Sequence, residues 1–134
     1  CSIRTIGETA LQSGCAFYVM TSAKDILFDV FKPAMDKGVF HQGRFLLCRY
    51  SFEPFLVGLY AAGMDGTLYA YCDGDCRDYK TWLRADRGIK DERTKLAPGT
   101  QAELVKQIEG ESNHAGHLMR IERRGNLYYS IFEE

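Results

Sequence analysis

The chain contains no long apolar run and no excess of basic residues, and these two absences exclude several classes of protein. Nowhere do apolar residues approach the roughly 20 in succession that a membrane-spanning helix needs, so we predict no membrane span. Lysine and arginine number 17 against 18 aspartates and glutamates, which gives a net charge of −1. Because a nucleic-acid-binding protein is expected to carry a basic surplus, we predict no nucleic-acid partner.

Proline is also scarce, with three residues in 134, and the cysteines number five. An odd number of cysteines leaves at least one thiol outside any intrachain disulfide. Cys72 and Cys76 flank Asp-Gly-Asp and could pair across a turn, but this C-x3-C spacing lacks a second pair of zinc ligands. We predict no metal and no other cofactor. Two disulfides would suit a secreted protein and five thiols a cytoplasmic one, so both locations stay open.

What the chain does contain is typical of a packed globular protein. Hydrophobic residues make up 46% of the sequence and aromatic residues 13%, which argues for an apolar core and against disorder. The length is typical of one domain, and no repeat or low-complexity tract divides it. We predict a single soluble α+β domain over residues 1–134, in which an antiparallel sheet packs against an N-terminal core helix and ends in a C-terminal β-hairpin.

Apolar spacing and turn residues predict the elements of this fold. Residues recurring at helical spacing predict a long core helix from Cys15 to Met35, with Ser13 as its N-cap and Pro33 ending or kinking it. Asp65-Gly66 is typical of a hairpin turn between two strands. The other predicted helices span 3–13, 77–87 and 101–109, and the predicted strands span 44–52, 55–62, 67–72, 117–123 and 126–133.

The register of the C-terminal hairpin decides which residues lie opposite each other. A three-residue loop of Arg124 to Asn126 places Glu133 directly opposite His117. A two-residue Gly-Asn turn would place Glu134 there instead. The three-residue loop also pairs Met119 with Ile131 and Ile121 with Tyr129.

Three residues of this predicted fold form a candidate catalytic constellation. A thiol at the first turn of a helix experiences the positive end of the helix dipole, and we therefore expect Cys15 to favour the nucleophilic thiolate. His117 begins an apolar strand, and Glu133 lies opposite it in the first register. A nucleophile, a base and a carboxylate that orients the base are the parts of a catalytic triad.

The segments around these residues resemble the papain-like cysteine peptidase superfamily. Gly-Cys-Ala-Phe-Tyr-Val at 14–19 is similar to the cysteine segment of CHAP-type amidases. Gly-His-Leu-Met-Arg-Ile-Glu at 116–122, with Tyr-Ser-Ile-Phe-Glu at 129–133, is similar to their histidine strand and its returning strand. The number of residues between Cys15 and His117, and between His117 and Glu133, also resembles that in YopT-type effector proteases.

The resemblance implies a thiol hydrolase that cleaves a peptide, isopeptide or amide bond in a protein or peptide substrate. It implies that Cys15 is the nucleophile, that His117 is the general base and acid, and that Glu133 orients the histidine. Gln12 is then a candidate oxyanion donor, together with the backbone N–H of Cys15.

Two other classes of function stay open. The run from Phe55 to Tyr71, interpreted as strand, Asp-Gly turn and strand, resembles a small-ligand sensor of PAS-like or Cache-like type. In that case Cys15 is an inert core thiol, and the aromatic residues Tyr60, Tyr69, Tyr71 and Trp82 line a pocket. The third hypothesis is a protein–protein interaction domain without chemistry, which would expose an apolar patch or a free sheet edge.

Overall fold

The computed structural model describes residues 1–112 and 116–133. Its contacts divide the chain into two compact units. Unit 1 combines Cys1–Val19 with Ala97–Glu134, and unit 2 is the continuous segment Met20–Leu96 between them. The single domain over residues 1–134 stays a prediction.

Helices and strands alternate irregularly along the chain. In order they are α1 (Ser2–Gln12), β1 (Phe17–Tyr18), α2 (Ala23–Ile26), a π-helical segment (Leu27–Phe31), α3 (Lys32–Lys37), β2 (Gln42–Leu47), a 3-10 turn (Arg49–Ser51), α4 (Phe52–Ala62), β3 (Asp65–Ala70), α5 (Tyr79–Asp86), α6 (Pro98–Gly110), β4 (His117–Arg124) and β5 (Leu127–Glu133).

Unit 1 is an antiparallel sheet with strand order β1-β5-β4, and helix α1 packs against both β5 and α6. Helix α1 buries one apolar stripe, because its core residues recur at helical spacing. The Oγ of Ser130 on β5 donates a hydrogen bond to the carbonyl oxygen of Leu11 at 2.6 Å, which ties the sheet to the end of α1. The buried hydrophobic residues of α1 and α6 are Ile6, Ala10, Leu11, Leu104 and Ile108. The predicted α+β fold, with its N-terminal helix, antiparallel sheet and C-terminal hairpin, is confirmed.

The hairpin of unit 1 contains the predicted pair of His117 and Glu133, but its turn and its register differ from the prediction. Arg124 pairs with Leu127, so the turn has two residues and not the predicted three. A β-bulge between Leu118 and Arg120 then shifts the register by one residue, because Met119 is extra in its strand. His117 consequently lies opposite Glu133, as predicted. The predicted pairs of Met119 with Ile131 and of Ile121 with Tyr129 are wrong, since Arg120 faces Ile131 and Glu122 faces Tyr129.

In unit 2, β2 and β3 form a parallel pair connected by helix α4. The predicted strand over 55–62 and the hairpin turn at Asp65-Gly66 are therefore wrong. A continuous apolar run does not distinguish a buried strand from a helix by its periodicity. Pro54 lies in the first turn of α4, where its missing N–H costs nothing, and Gly63 ends the helix at φ 65°.

The predicted helix from Cys15 to Met35 is wrong in its first third. Gly14 adopts φ 80°, and the backbone N–H of Cys15 donates to the carbonyl of Ala10 at 2.8 Å, so this segment ends α1. Residues 17–18 then join the sheet as β1. The helix begins only after Ser22, whose side chain accepts from the N–H of Asp25.

Aromatic rings hold α4 against its neighbours in the core of unit 2. The ring of Phe55 lies 5.1 Å from that of Phe31 and 4.8 Å from that of Phe45. Such edge-to-face and tilted pairs contribute roughly 0.5–1.5 kcal/mol each beyond the area that they bury. Gly58 allows α4 to lie this close to Phe31, because a Cβ at position 58 would be 2.8 Å from a carbon of the Phe31 ring.

The loop after β3 is fixed against a short extended segment of unit 2. The N–H of Cys72 donates to the carbonyl of Lys95 at 2.8 Å, and the N–H of Lys95 donates to the carbonyl of Asp73 at 3.0 Å. Gly74 follows with φ 68°, and a Cβ on it would lie 2.2 Å from the carbonyl oxygen of Arg93. The loop therefore requires glycine at this position for two separate reasons.

We expect Gly74→Ala to lower the free energy of unfolding by about 2–4 kcal/mol, from left-handed strain and backbone overlap together. Gly88→Ala is the matched control, because Gly88 also has a positive φ of 82° but nothing within 4 Å of its Cβ position. The control should lose only about 1 kcal/mol. Urea denaturation of both variants measures the difference, and equal losses would contradict the close approach to Arg93.

Candidate functional site

Cys15 lies at the carboxyl end of a helix and not at the amino end. It is half-buried, and its backbone N–H is already engaged by the carbonyl of Ala10. The positive end of a helix dipole is the amino end, so α1 does not present it to Cys15. Two expectations for Cys15 are thereby corrected, namely activation by a helix dipole and an N–H directed at an oxyanion. Gln12, the predicted oxyanion donor, is the exposed last residue of α1.

The structure does bring His117 and Glu133 together, as cross-strand partners at the open end of the hairpin. Both residues are exposed. Gly116 lies directly beside this pair, where a Cβ would be 2.5 Å from the carbonyl oxygen of Glu133. The segment 113–115 and the alternative partner Glu134 lie outside the described residues.

Strand β5, which carries Glu133, pairs on its two edges with β4 and β1. His117 on β4 pairs with one edge of β5, whereas Phe17 and Tyr18 of β1 pair with the other. Cys15 precedes β1, and its N–H is bonded to the carbonyl of Ala10, so it lies outside this ladder.

Unit 2 contains a cleft that the sequence did not predict. Its volume is about 300 Å³, and its walls are the loop after β3, the start of α5 and residues 89–92. Cys76, 3% exposed, belongs to its lining. The lining residues are Gly74, Asp75, Cys76, Arg77, Asp78, Thr81, Arg84, Ile89, Lys90, Asp91 and Glu92.

Three of the charged residues in this cleft have partners within it. The guanidinium of Arg84 donates to both oxygens of Asp91, at 3.1 and 3.3 Å. Asp78 caps α5, since its Oδ1 accepts from the N–H of Thr81 at 2.7 Å. The backbone and side chain of Thr81 lower the pKa of Asp78, because both hydrogen bonds favour its charged form.

The other four charged residues in the cleft carry both signs. They are the acids Asp75 and Glu92 and the bases Arg77 and Lys90. Within residues 1–112 and 116–133, none of these four side chains forms a salt bridge or a hydrogen bond with another residue. They are therefore available to a ligand.

The predicted aromatic pocket is absent from this cleft. Tyr60, Tyr69, Tyr71 and Trp82 do not line it, and Tyr60 is 90% exposed on α4. The predicted strand-turn-strand pattern from Phe55 to Tyr71 is a helix followed by a parallel strand, so the basis for a PAS-like or Cache-like comparison is lost.

Helix α4 exposes an apolar face, as the interaction hypothesis expects. Leu56, Val57 and Tyr60 are 52%, 66% and 90% exposed and neighbour one another on the helix surface. The opposite face buries Phe55, Leu59 and Ala62. Among the described residues, no helix is long and apolar enough to cross a membrane, and no three histidine, cysteine or acidic side chains are placed to hold a metal ion.

We expect the rate at which iodoacetamide alkylates Cys15 to be unchanged in His117→Ala, because His117 pairs with one edge of β5 and the strand that follows Cys15 pairs with the other. His41→Ala in unit 2 is the matched control. Mass spectrometry of the native protein between about pH 5 and 9 reports each cysteine separately. A selective loss of Cys15 labelling in His117→Ala would contradict the separation and support a catalytic pair.

The cap on α5 predicts a pH-dependent stability. Because the folded-state pKa of Asp78 is lowered, its stabilising contribution is present above the unfolded pKa of about 3.9 and is lost as pH falls through the folded value. Asp78→Asn keeps a capping oxygen but does not titrate. In urea titrations, we expect the wild type to lose stability relative to this variant as pH falls below about 4. If the difference in unfolding free energy between the wild type and Asp78→Asn did not change with pH, the charged carboxylate would have no role as a cap.

No protein-family model, curated protein or solved structure matches the chain.

Proposed function

We propose that unit 2 binds a small ligand that carries both a positive and a negative charge, of the size of an amino acid or a dipeptide. The observation that carries the proposal is the cleft at residues 74–78 and 89–92, with two acids and two bases that form no salt bridge and no side-chain hydrogen bond among the described residues.

The position of the cleft supports ligand binding. In open sheets with parallel strands, ligands bind beyond the carboxyl ends of the strands. Strands β2 and β3 are parallel, and the loop after β3 forms one wall of the cleft.

The charges of the lining define the class of ligand. Arg77 and Lys90 would bind a carboxylate, and Asp75 and Glu92 would bind an ammonium group. A ligand that carries only negative charge, such as a phosphate, would also face Asp75 and Glu92 and would be repelled by them. The volume of about 300 Å³ lies at the lower end for small-molecule sites, which limits the ligand to a small molecule.

The test is a titration of ¹⁵N-labelled protein with the common amino acids and with glycine-containing dipeptides. We expect saturable shifts of the amide signals of residues 74–78 and 89–92 for at least one of these probes. Acetate and methylamine each carry half of the charge pattern and should bind much more weakly. Absence of shifts with every probe, or equal binding of acetate, would overturn the proposal.

Arg77→Gln should weaken the binding of the best probe by about tenfold, since a hydrogen bond to a charged group is worth roughly 1.5 kcal/mol. Arg87→Gln is the matched control, because Arg87 follows α5 but does not line the cleft. Isothermal titration calorimetry gives both affinities. A comparable loss in the two variants would indicate a general charge effect and not a site.

Thiol hydrolysis by unit 1 is the second candidate. The observation that favours it is the cross-strand pair of His117 and Glu133, which supplies a base and a carboxylate that could orient it. It also requires Cys15 to reach His117 from across β5. The alkylation experiment on Cys15 and His117→Ala distinguishes this candidate from an inert thiol.

A further inference from the structure

The outer strand of the sheet in unit 1, β4, has a free edge. The strand order is β1-β5-β4, so β4 pairs with β5 on one side only. Six of its eight residues are exposed, and these include the apolar Met119 and Ile121 at 60% and 51%. Within residues 1–112 and 116–133, no hydrogen bond joins the backbone of β4 to any segment other than β5. The edge therefore presents main-chain groups that a further strand could pair with.

The pairing on the other side of β5 shows how its main-chain groups are directed. The N–H of Val19 donates to the carbonyl of Asn126 at 3.0 Å, and these two residues are opposite each other in the register of β1 and β5. Phe17 and Tyr128 are the pair two places further on. Because hydrogen-bonded pairs alternate in an antiparallel ladder, Tyr128 directs its N–H and C=O to β1.

The same alternation identifies the groups of β4 that point to the open edge. Arg123 pairs with Tyr128, whose main-chain groups are engaged by β1, so the N–H and C=O of Arg123 point away from β5. Ile121, two residues earlier, is directed in the same way. These two residues thus offer two donors and two acceptors to an added strand.

The side chains of β4 make this edge positive. The strand carries three arginines and one glutamate, a net charge of +2 in a chain whose net charge is −1. The guanidinium of Arg120 lies 2.7 Å from the carboxylate of Glu122, so these two charges compensate each other. The excess is therefore at the end of the strand that leads into the turn.

Arg123 and Arg124 at that end are held in place by aromatic rings. Their guanidiniums lie over the rings of Tyr128 and Tyr129, at 5.4 and 5.3 Å from the centroids. A ring orients a guanidinium without neutralising it. In the part of the chain that the structure describes, neither arginine forms a salt bridge with a carboxylate. Both can therefore bind the carboxylates of a partner.

We propose that the free edge of β4 binds an extended, acidic peptide segment of another protein, which joins the sheet as a fourth strand. Main-chain hydrogen bonds to Ile121 and Arg123 hold the segment. Its apolar side chains cover Met119 and Ile121, and its acidic side chains lie beside Arg123 and Arg124.

Charge favours such a segment over a second copy of β4. Two copies would bring together two strands that each carry a net charge of +2. Charged side chains and a β-bulge, here at Met119, are also features that prevent two edge strands from pairing with each other. An acidic segment meets attraction at the same edge. The proposal concerns unit 1 alone and does not depend on what the cleft of unit 2 binds.

The test is a titration of ¹⁵N-labelled protein with capped eight-residue peptides in which valine and threonine alternate and two glutamates stand at one end. One probe has the glutamates at its amino end and the other at its carboxyl end, because an added strand can run in either direction. We expect one probe to cause saturable shifts of the amide signals of residues 119–124. The signals of residues 74–78 and 89–92 should not move.

Two altered peptides separate the contribution of charge from that of the main chain. A peptide with lysines in place of the glutamates should bind about fivefold more weakly, because it faces two guanidiniums. A peptide methylated on every main-chain nitrogen has no N–H to donate and should not bind.

Two variants test the edge from the side of the protein. Arg123→Gln should weaken the binding of the better probe about threefold, as expected for an exposed ion pair. Lys106→Gln is the matched control, because it removes one positive charge from the exposed surface of α6. Ile121→Pro removes an N–H that points away from β5 and should abolish binding, with circular dichroism to check folding. The methylated peptide tests the same bonds without altering the protein.

Four outcomes would overturn the proposal. They are absence of shifts with both glutamate probes, equal affinity for the glutamate and lysine peptides, undiminished binding of the methylated peptide, and equal losses in Arg123→Gln and Lys106→Gln. A dimer of the protein alone that Ile121→Pro dissociates, measured by analytical ultracentrifugation, would assign the edge to a second copy and overturn the proposal as well.

Discussion

The parallel register of β2 and β3 is the constraint on which the functional features of unit 2 depend. The register runs from Gln42 paired with Asp65 to Leu47 paired with Ala70, and parallel pairing requires a crossover, which α4 provides. Both strands then leave the sheet at the same edge. The loop after β3, which forms one wall of the cleft, therefore begins at the edge where β2 also ends. A slip of one residue would turn every side chain of β3 to the opposite face.

In unit 1 the corresponding constraint is the position of β5 between its two neighbours. It pairs with β1 on one side and with β4 on the other, and Ser130 connects it to α1. This arrangement explains why one part of the candidate triad assembles and another does not. His117 and Glu133 are on adjacent strands, whereas Cys15 precedes β1, which pairs with the opposite edge of β5. The central strand therefore carries the carboxylate that faces His117, and it lies between His117 and the strand that follows Cys15.

The sequence predicted the hairpin, the short helices and the α+β class, because alternation and helical spacing are local properties. It failed at the apolar run of α4, where a helix and a buried strand have the same composition and only the proline at the start and Gly63 at the end were indicative. It also assigned Ser13-Gly14 to the start of a helix, although a glycine at positive φ is typical of a helix end. The cleft was not predicted, because its walls come from segments that meet only through the parallel crossover. The polar run Asp-Gly-Asp-Cys-Arg-Asp after a strand was the one available signal.

Unit 1 is assembled from the two segments on either side of unit 2, and this has a consequence during synthesis. Helix α1 leaves the ribosome before unit 2, yet it packs on α6 and β5, which follow unit 2 along the chain. The continuous unit 2 is therefore complete before these partners of α1 exist. During that interval the apolar stripe of Ile6, Ala10 and Leu11 lacks the surface that covers it in the folded protein.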